Sequence, residues 1–383
     1  MVYNAMLFAL LVSAAFGCVF MIVAAMLVPS GVRRERMAGD AQLPVTILVP
    51  LHGDEPGLFD NLAAFCDQDY AGPVQIIFGV TDPRDPAIQS VERLRPAGCG
   101  RQIDLVVSTR VAGSNPKVSN LVGMSPSIRH DVIVLVDSDI RVERDYLRRV
   151  VGALDRTGSG AVTCPYFGIP TGSLWSRLAQ LMIDGHFLPG ILVGVRFGLT
   201  QPCMGSTIAL RRQSLAAIGG FEAVADCLAD DYALGEELRQ RGETVSVLPF
   251  AVGHICGEDS WRALWQHEVR WALTIRTIDP VGYASWITNH ALPLALAALA
   301  LGGGLPALAL AAAAVACRVI LLRAVGRGYG LPPHPCWLVP VRDLLSFAVF
   351  IAGFAGQGVS WRGRRFRVLA EGDLVPKEGQ LLP

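Results

Sequence analysis

The stretch from Tyr3 to Pro29, YNAMLFALLVSAAFGCVFMIVAAMLVP, carries no charged side chain. It is long enough for a helix that crosses a hydrocarbon core of roughly 30 Å, and few soluble folds could hide so much unbroken apolar surface. Residues 1–30 are therefore read as a membrane anchor. A cleaved secretory signal would carry its basic residues ahead of the apolar run, whereas Arg33, Arg34 and Arg36 follow it. Because Lys and Arg favour the cytoplasmic side, the chain after the anchor is expected in the cytoplasm.

A second membrane zone, 287–361, is expected to hold two or three segments. Its first part, about Ala291 to Leu322, is Ala- and Leu-rich but broken by Gly302, Gly303, Gly304 and Pro306, so it reads as one long span or a tight pair. Its last part, LLSFAVFIAGFAGQGVSW, runs into the basic residues WRGRRFR, which places the tail 362–383 in the cytoplasm and asks for an even number of crossings. Arg323, Arg327 and Arg342 between these parts pull the same way, which leaves room for a re-entrant or interfacial segment. Few ionisable residues fall inside the apolar zones, which disfavours a transporter. With 52% hydrophobic and 17% charged residues and a mean hydropathy of +0.42, the whole chain agrees with a multi-pass membrane protein. Lys+Arg and Asp+Glu stand at 33 each, so no net field points to nucleic acid. The 9 cysteines are scattered singly, which fits a reducing compartment and neither a zinc site nor a disulfide framework.

Between the membrane zones, residues 43–283 suffice for one large domain. VTILVPL, VQIIFGVTD, IDLVVST and DVIVLVDSD are short β-rich runs separated by helical stretches such as LFDNLAAFCDQ, AIQSVERLRP and KVSNLVGMSPSI. Apolar strands alternating with helices predict an α/β fold with a parallel-rich sheet covered on both faces. Ligands of such sheets bind beyond the carboxyl ends of the strands. Acidic residues stand there three times: Asp54 and Glu55 after the first strand, Asp82 after the second, Asp137 and Asp139 after the fourth. Neither a dinucleotide-binding glycine fingerprint nor a P-loop is present. The half from Val162 to Ile278 is broken by Gly and Pro and reads as substrate-facing.

Asp137-Ser138-Asp139 places two carboxylates on one tight turn, a ligand set for a hard divalent cation such as Mg²⁺ or Mn²⁺ that also binds substrate phosphates. A solvated turn or helix cap is the plainer reading of such a pair. In phosphohydrolases a strand-end D-x-D supplies a nucleophile, but Arg141 stands where that chemistry expects Thr or Val. Asp231, at the start of the helical pattern ALGEELRQRG, is either a helix cap or a general base, and Asp230 beside it lets one carboxylate cap while the other reacts. In WQHEVRWALTIR, Arg270 could hold a diphosphate and Trp271 could wall the site, while Trp261 and Trp265 suit a helix at the membrane interface. His52, His186 and His254 lie too far apart in sequence for a metal set and read as packed or hydrogen-bonded histidines.

The series Asp82, Asp137-Ser138-Asp139, Asp231 and Arg270-Trp271 resembles the D, D-x-D, D, (Q/R)-x-x-R-W order of inverting family-2-type glycosyltransferases. PLHGDEPGL, FCDQDY, VTDPRDPAI, NPKVSNL, DSDIRV, LADDY and HEVRWALTIR, between about Val45 and Arg276, resemble the ceramide glucosyltransferases and the hopanoid biosynthesis-associated HpnI family. The resemblance implies a GT-A fold, a UDP-sugar donor, a divalent cation and a membrane-lipid acceptor. Carried over, Asp82 would contact the nucleotide, Lys117 a phosphate, Asp137 and Asp139 the metal and diphosphate, and Asp231 would be the base. Arg270 and Trp271 would complete the site, and His267 stands where Gln or Arg is expected. The wording of HGDEPGL and QDYAGPVQ points to N-acetylglucosamine transfer onto a hopanoid polyol such as bacteriohopanetetrol at a bacterial inner membrane. Glucose transfer to ceramide is the alternative.

Overall fold

The computed structural model describes residues 2–28, 42–95, 100–355, 358–361, 364–368 and 374–376. Arg33, Arg34 and Arg36, on which the expected orientation rests, lie outside them. The anchor is a single helix, α1 (Val2–Leu27). Then strand and helix alternate: β1 (Val45–Pro50), α2 (Leu58–Cys66), β2 (Val74–Val80), α3 (Ala87–Leu94), β3 (Gln102–Val107), α4 (Pro116–Met124) and β4 (Val132–Leu135). Each of these strands is one of the apolar runs expected from the sequence. β1 is buried at every position. Val45, Ile47 and Val49 pack with Leu62, Phe65 and Val91 on one face, while Leu48 meets Val118, Leu121 and Ile208 on the other. Period-two alternation thus feeds two cores, and burying each such side chain contributes about 1.5–3 kcal/mol.

β5 (Ile140–Arg141), α5 (Tyr146–Thr157), β6 (Ala161–Thr163) and β7 (Tyr166–Pro170) follow, then α6 (Leu174–Met182), a π-turn at Ile183–Phe187 and α7 (Leu188–Arg196). β8 (Ile208–Arg211), α8 (Arg212–Ala217), α9 (Asp230–Gln240), β9 (Val245–Val247) and β10 (Val252–Cys256) complete the domain. The main sheet has the order β3-β2-β1-β4-β8-β6-β9. β1 pairs in parallel with both β2 and β4, whereas β8 runs antiparallel to β4 and β6. The chain leaves β1 towards β2 and β3, then returns to β4 on the other side. The topological switch point is therefore the gap between β1 and β4, where a ligand crevice is expected. A second sheet, β5-β10-β7, stands beside it.

α10 (Trp261–Ile278) and α11 (Pro280–Ser285) lead to α12 (Ala291–Ala300), α13 (Gly304–Tyr329) and α14 (Val339–Ala355). The broken Ala/Leu zone is thus a tight pair whose first member, at 10 residues, is too short to cross a bilayer. Small residues set the packing here: a Cβ on Gly17 of α1 would collide with the Thr288 carbonyl and Ala291. Four helical stretches have crossing length and apolar composition: Val2–Leu27, Leu174–Arg196, Gly304–Tyr329 and Cys336–Ala355. The second corrects the sequence reading, which took that region as broken and substrate-facing. Past α14, β11 (Gly358–Trp361), β12 (Arg364–Val368) and β13 (Leu374–Pro376) form a sheet. The Leu374 N–H donates to the Asp226 carbonyl at 2.8 Å, and Leu374 is buried against Leu228 and Leu273.

The expectation that ionisable residues are nearly absent from the membrane zones is overturned. Arg318 lies within α13, and Arg342 and Asp343 lie within α14, not in a loop. Arg318 Nε donates to Asp343 Oδ1 at 3.1 Å, and Arg342 holds Glu268 of α10 through two bonds of 2.6 and 2.8 Å. Asp184 of the π-turn meets His334 at 2.7 Å. These charges persist in apolar surroundings because each is paired there, which a charge count along the sequence does not reveal. The argument against a transporter from their absence therefore falls, and Arg323 and Arg327 in α13 and Arg342 in α14 are all helical rather than in the loop expected to carry them.

Candidate active site

At the β1–β4 switch point the turn after β4 carries Asp137, Ser138 and Asp139. Ser138 is held inward, its hydroxyl donating to Glu55 at 2.6 Å and its carbonyl accepting from Asn61 at 3.1 Å. The carboxylates on either side are left for the crevice. Lys117 enters from α4, whose start is set by Asn115. The Asn115 side chain accepts from the Lys117 and Val118 N–H groups at 2.9 and 3.1 Å, with Pro116 at the first helical position. Its amide donates to the Cys227 carbonyl at 2.9 Å, tying this helix start to the loop that bears Asp230 and Asp231.

Lys117 Nζ sits 2.7 Å from Asp137 and 3.3 Å from Asp230. Asp231 Oδ2 accepts from the Gly205 N–H at 2.7 Å and Oδ1 from the Tyr232 N–H at 2.8 Å. Gly205 is where these groups converge: a Cβ built there would lie 3.0 Å from Asp137 Oδ2, 3.0 Å from Lys117 Nζ and 3.3 Å from Asp231 Oδ2. The sequence offered no sign of Gly205, because nothing in QPCMGST marks a close approach. Asp230 is buried and meets Asn115 at 3.3 Å and Lys117, whereas Asp231 is half-buried beside Gly205; neither side chain makes the helix cap that the sequence allowed.

Burial, reinforced by Asp139 and only partly opposed by Lys117, pushes the Asp137 carboxyl up to about 6. Burial and the neighbouring Asp230 raise Asp231 as well. Burial alone would pull the Lys117 ammonium down, but Asp137, Asp230 and Asp231 outweigh it and hold Lys117 well above its ordinary value. Three carboxylates thus act on one ammonium, with Asp139 beside Asp137, a surplus of negative charge that suits a cation.

Asp139 is neighboured by a histidine that the sequence reading had set aside. His254 of β10 places Nε2 3.3 Å from Asp139 Oδ2, while Asp139 Oδ1 and His254 Nδ1 are buried without hydrogen-bond partners. An orphaned carboxylate oxygen beside Asp137 fits a divalent ion that takes one or two protein oxygens and fills its shell with water and phosphate. Among the described residues no three side chains converge as a complete cage. Of the other two histidines, His186 is hydrogen-bonded as expected, to Asp343 at 3.1 Å, and His52 lies 3.6 Å from Asp85.

Trp271 joins this group from α10, its ring centroid 6.1 Å from His254, 6.3 Å from Tyr166 and 4.6 Å from His267. His267 Nδ1 pairs with Glu258 at 2.5 Å; burial would raise Glu258, but the bond and charge of His267, with the Glu258 backbone N–H and the charge of His254, together hold it below its usual range. The position expected to be Gln or Arg therefore supports Trp271 and is engaged by Glu258. Arg270 is half-buried on the next helical position, about 100° around the helix from Trp271. Asp82 lies outside the converged group. It is half-exposed past β2, and the Arg84 backbone N–H at 2.8 Å holds it below the usual carboxylate range.

The likenesses to known proteins agree with this arrangement. Ceramide glucosyltransferase 1 of Caenorhabditis elegans is 25% identical over 206 residues, 53% of this chain and 44% of that protein. Beta-monoglucosyldiacylglycerol synthase of Synechocystis sp. is 27% identical over 260 residues, 62% of this chain and 49% of that protein. The chain thus spans about half the length of these relatives. The solved mannosyltransferase PcManGT from Pyrobaculum calidifontis, in complex with GDP-Man and Mn²⁺, covers 92% of this chain and 98% of its own, with a TM-score of 0.52 and 19% identity, and shares the GT-A fold. The profile of glycosyl transferase family 21 matches residues 8–374, so the membrane helices and the catalytic domain are covered together. On that match the chain belongs to glycosyl transferase family 21.

Proposed function

We propose that this chain transfers a sugar from a UDP-sugar to a hydroxyl of a membrane lipid, with inversion at the anomeric carbon. The observation that carries the reading is the meeting of Asp137, Lys117 and Asp231 around Gly205 at the β1–β4 switch point. A divalent cation, Mg²⁺ or Mn²⁺, held by Asp137 and Asp139 would neutralise the diphosphate of the departing UDP. Asp231 then receives the proton of the acceptor hydroxyl as that oxygen bonds to the anomeric carbon. The anomeric carbon–phosphate oxygen bond breaks on the opposite face, and its electron pair leaves with UDP. Each Asp231 oxygen accepts one backbone N–H and keeps a lone pair for the hydroxyl, and its raised proton affinity suits a base working near neutral pH. Lys117 fixes the Asp137 carboxylate, Asp82 and Arg270 contact the donor from the rim, and His267 steadies Trp271 as the wall against which the acceptor lies.

The donor and acceptor pair supported by the wording of PLHGDEPGL is N-acetylglucosamine and a hopanoid polyol, with the domain on the cytoplasmic side of a bacterial inner membrane. Glucose and ceramide form a second reading, favoured by the similarity to ceramide glucosyltransferases. Membranes containing the protein, supplied with labelled UDP-N-acetylglucosamine or UDP-glucose, should yield one labelled lipid whose mass names both partners. A labelled soluble oligosaccharide with no labelled lipid would overturn the proposal.

A further inference from the structure

Trp271 also borders a second space, a cavity of about 620 Å³ counting its open mouth. Ile275 of α10, Trp286 after α11, and Val349 and Phe350 of α14 form much of its wall. One end meets the site, since Trp271 lies 6.1 Å from His254, which in turn touches Asp139. The opposite wall belongs to a helix of membrane-crossing length.

One polar ring in this wall is unsatisfied. His290 is 5% exposed, its ring lies 5.4 Å from that of Phe347 and 5.0 Å from that of Phe350, and Nδ1 is buried without a hydrogen-bond partner. A lone ring nitrogen facing aromatic neighbours is costly unless something completes it. The charges nearby offer no such completion and are already matched. Glu268 gives both oxygens to Arg342, and Arg318 is held by Asp343. The two buried guanidiniums beside the cavity are therefore committed, and neither is available to a phosphate headgroup.

We propose that this cavity is the acceptor site and that it takes an uncharged hydroxyl lipid. The lipid's apolar body lies against Ile275, Trp286, Val349 and Phe350, a hydroxyl or amide of its neck bonds to His290 Nδ1, and its reacting hydroxyl reaches past Trp271 towards Asp231. The inference rests on the reading of this chain as a lipid glycosyltransferase and adds where, and to which lipid chemistry, the acceptor binds.

The test uses the full chain in phosphatidylcholine nanodiscs with photoactivatable lipids carrying a diazirine in the acyl chain: a ceramide, a diacylglycerol and a polyprenyl phosphate. No donor is added, so labelling does not depend on turnover. At least one uncharged probe should label peptides of α10 and α14 around Ile275 and Val349, and unlabelled lipid should compete it away. Ile275→Trp, which fills the cavity from a partly exposed position, should cut that labelling several-fold. His290→Phe keeps the aromatic packing and removes the nitrogen. It should raise the half-saturating lipid concentration about 2- to 10-fold, the worth of one neutral hydrogen bond, without changing UDP binding. Labelling confined to outward positions such as Leu305 and Leu308, equal labelling in Ile275→Trp, or labelling by the polyprenyl phosphate as strong as by the uncharged probes would overturn it. If the cavity is labelled but no lipid receives sugar, the reaction assignment fails and the site stands. If sugar reaches a lipid with unaltered acceptor dependence in both variants, the site fails and the reaction stands.

Discussion

Adding one methyl group at Gly205 is the sharpest probe of the convergence described above. Gly205 does not occupy a positive-φ conformation, so alanine costs nothing in backbone strain there. Its Cβ would stand 3.0 Å from both Asp137 Oδ2 and Lys117 Nζ, and 3.3 Å from Asp231 Oδ2. Contacts this tight oblige the neighbours to retreat by a few tenths of an ångström, and they are the ion-pair partners and the proposed base. A misplacement of about 1 Å can cost roughly a hundredfold in rate, so a few tenths of that distance should cost about 3- to 10-fold in kcat. Stability should hardly move, because Gly→Ala tends to gain about 0.4–1 kcal/mol from the unfolded chain, which offsets the crowding. Transfer of labelled sugar to lipid gives kcat, calorimetry with UDP gives donor affinity, and thermal unfolding reports the fold. Gly190→Ala, where a Cβ would meet nothing within 4 Å, is the control. A Gly205→Ala protein with wild-type kcat would refute the claim that these three side chains act around one point.

Asp231→Asn should keep the shape and donor affinity while slowing transfer at least a hundredfold, because an amide cannot take the hydroxyl proton; equal loss of UDP-sugar binding would make Asp231 a binding residue instead. A carboxyl raised from about 4 to about 6 on folding favours the protonated folded state, so Asp137 stabilises the cation-free protein below about pH 4 and loses that contribution as pH rises through about 6. Mn²⁺ or Mg²⁺ competes with that proton, so the melting-temperature gain on adding the ion should be larger at pH 7 than at pH 5 and vanish in Asp137→Ala; a gain independent of pH would contradict this. Arg342→Met should lower stability by about 3–5 kcal/mol by stranding the Glu268 charge, and adding Glu268→Gln should recover most of it. A loss below about 1 kcal/mol in the single variant would show that the pair is not the buried contact described.

The parallel half of the domain was legible because β1, β2 and β4 are apolar runs with acidic residues at their exits, and burial on both faces demands such runs. Asp137 and Asp231 were legible for the same reason, since each stands at an element end, where a polar group must face outward, whereas Lys117 came only with the family resemblance. What brings them together was not legible. Gly205 lies at the start of a strand that runs antiparallel to β4, and β8 is a short segment, IALR, that reads no differently from its parallel neighbours. His254 was passed over because its distance from the D-x-D turn is closed only by pairing between β5 and β10, a register that places His254 opposite Ile140.

The segment from Leu174 to Arg196 was hidden by its own punctuation. Asp184, Gly185 and Pro189 look like breaks, yet the chain passes through them as helix, π-turn and helix. Pro189 has no N–H to offer the carbonyl four residues back, that of Gly185, and an unpaired carbonyl in apolar surroundings would end the helix. Arg318 of α13 supplies the missing donor, its guanidinium bonding to the Gly185 carbonyl while also holding Asp343. Asp184, turned out by the π-turn, accepts from the Gly168 N–H of β7 at 2.9 Å and pairs with His334. Thus the residues that break the helix in sequence are the ones that bind the catalytic sheet to the membrane helices. β7 carries Tyr166, whose ring stacks on His254 at 5.3 Å, so Asp184 connects to the D-x-D turn through three contacts, Asp184 to Gly168, Tyr166 to His254 and His254 to Asp139. The ionisable residues buried among those helices are therefore best understood as the joint between the catalytic sheet and the helices of membrane-crossing length.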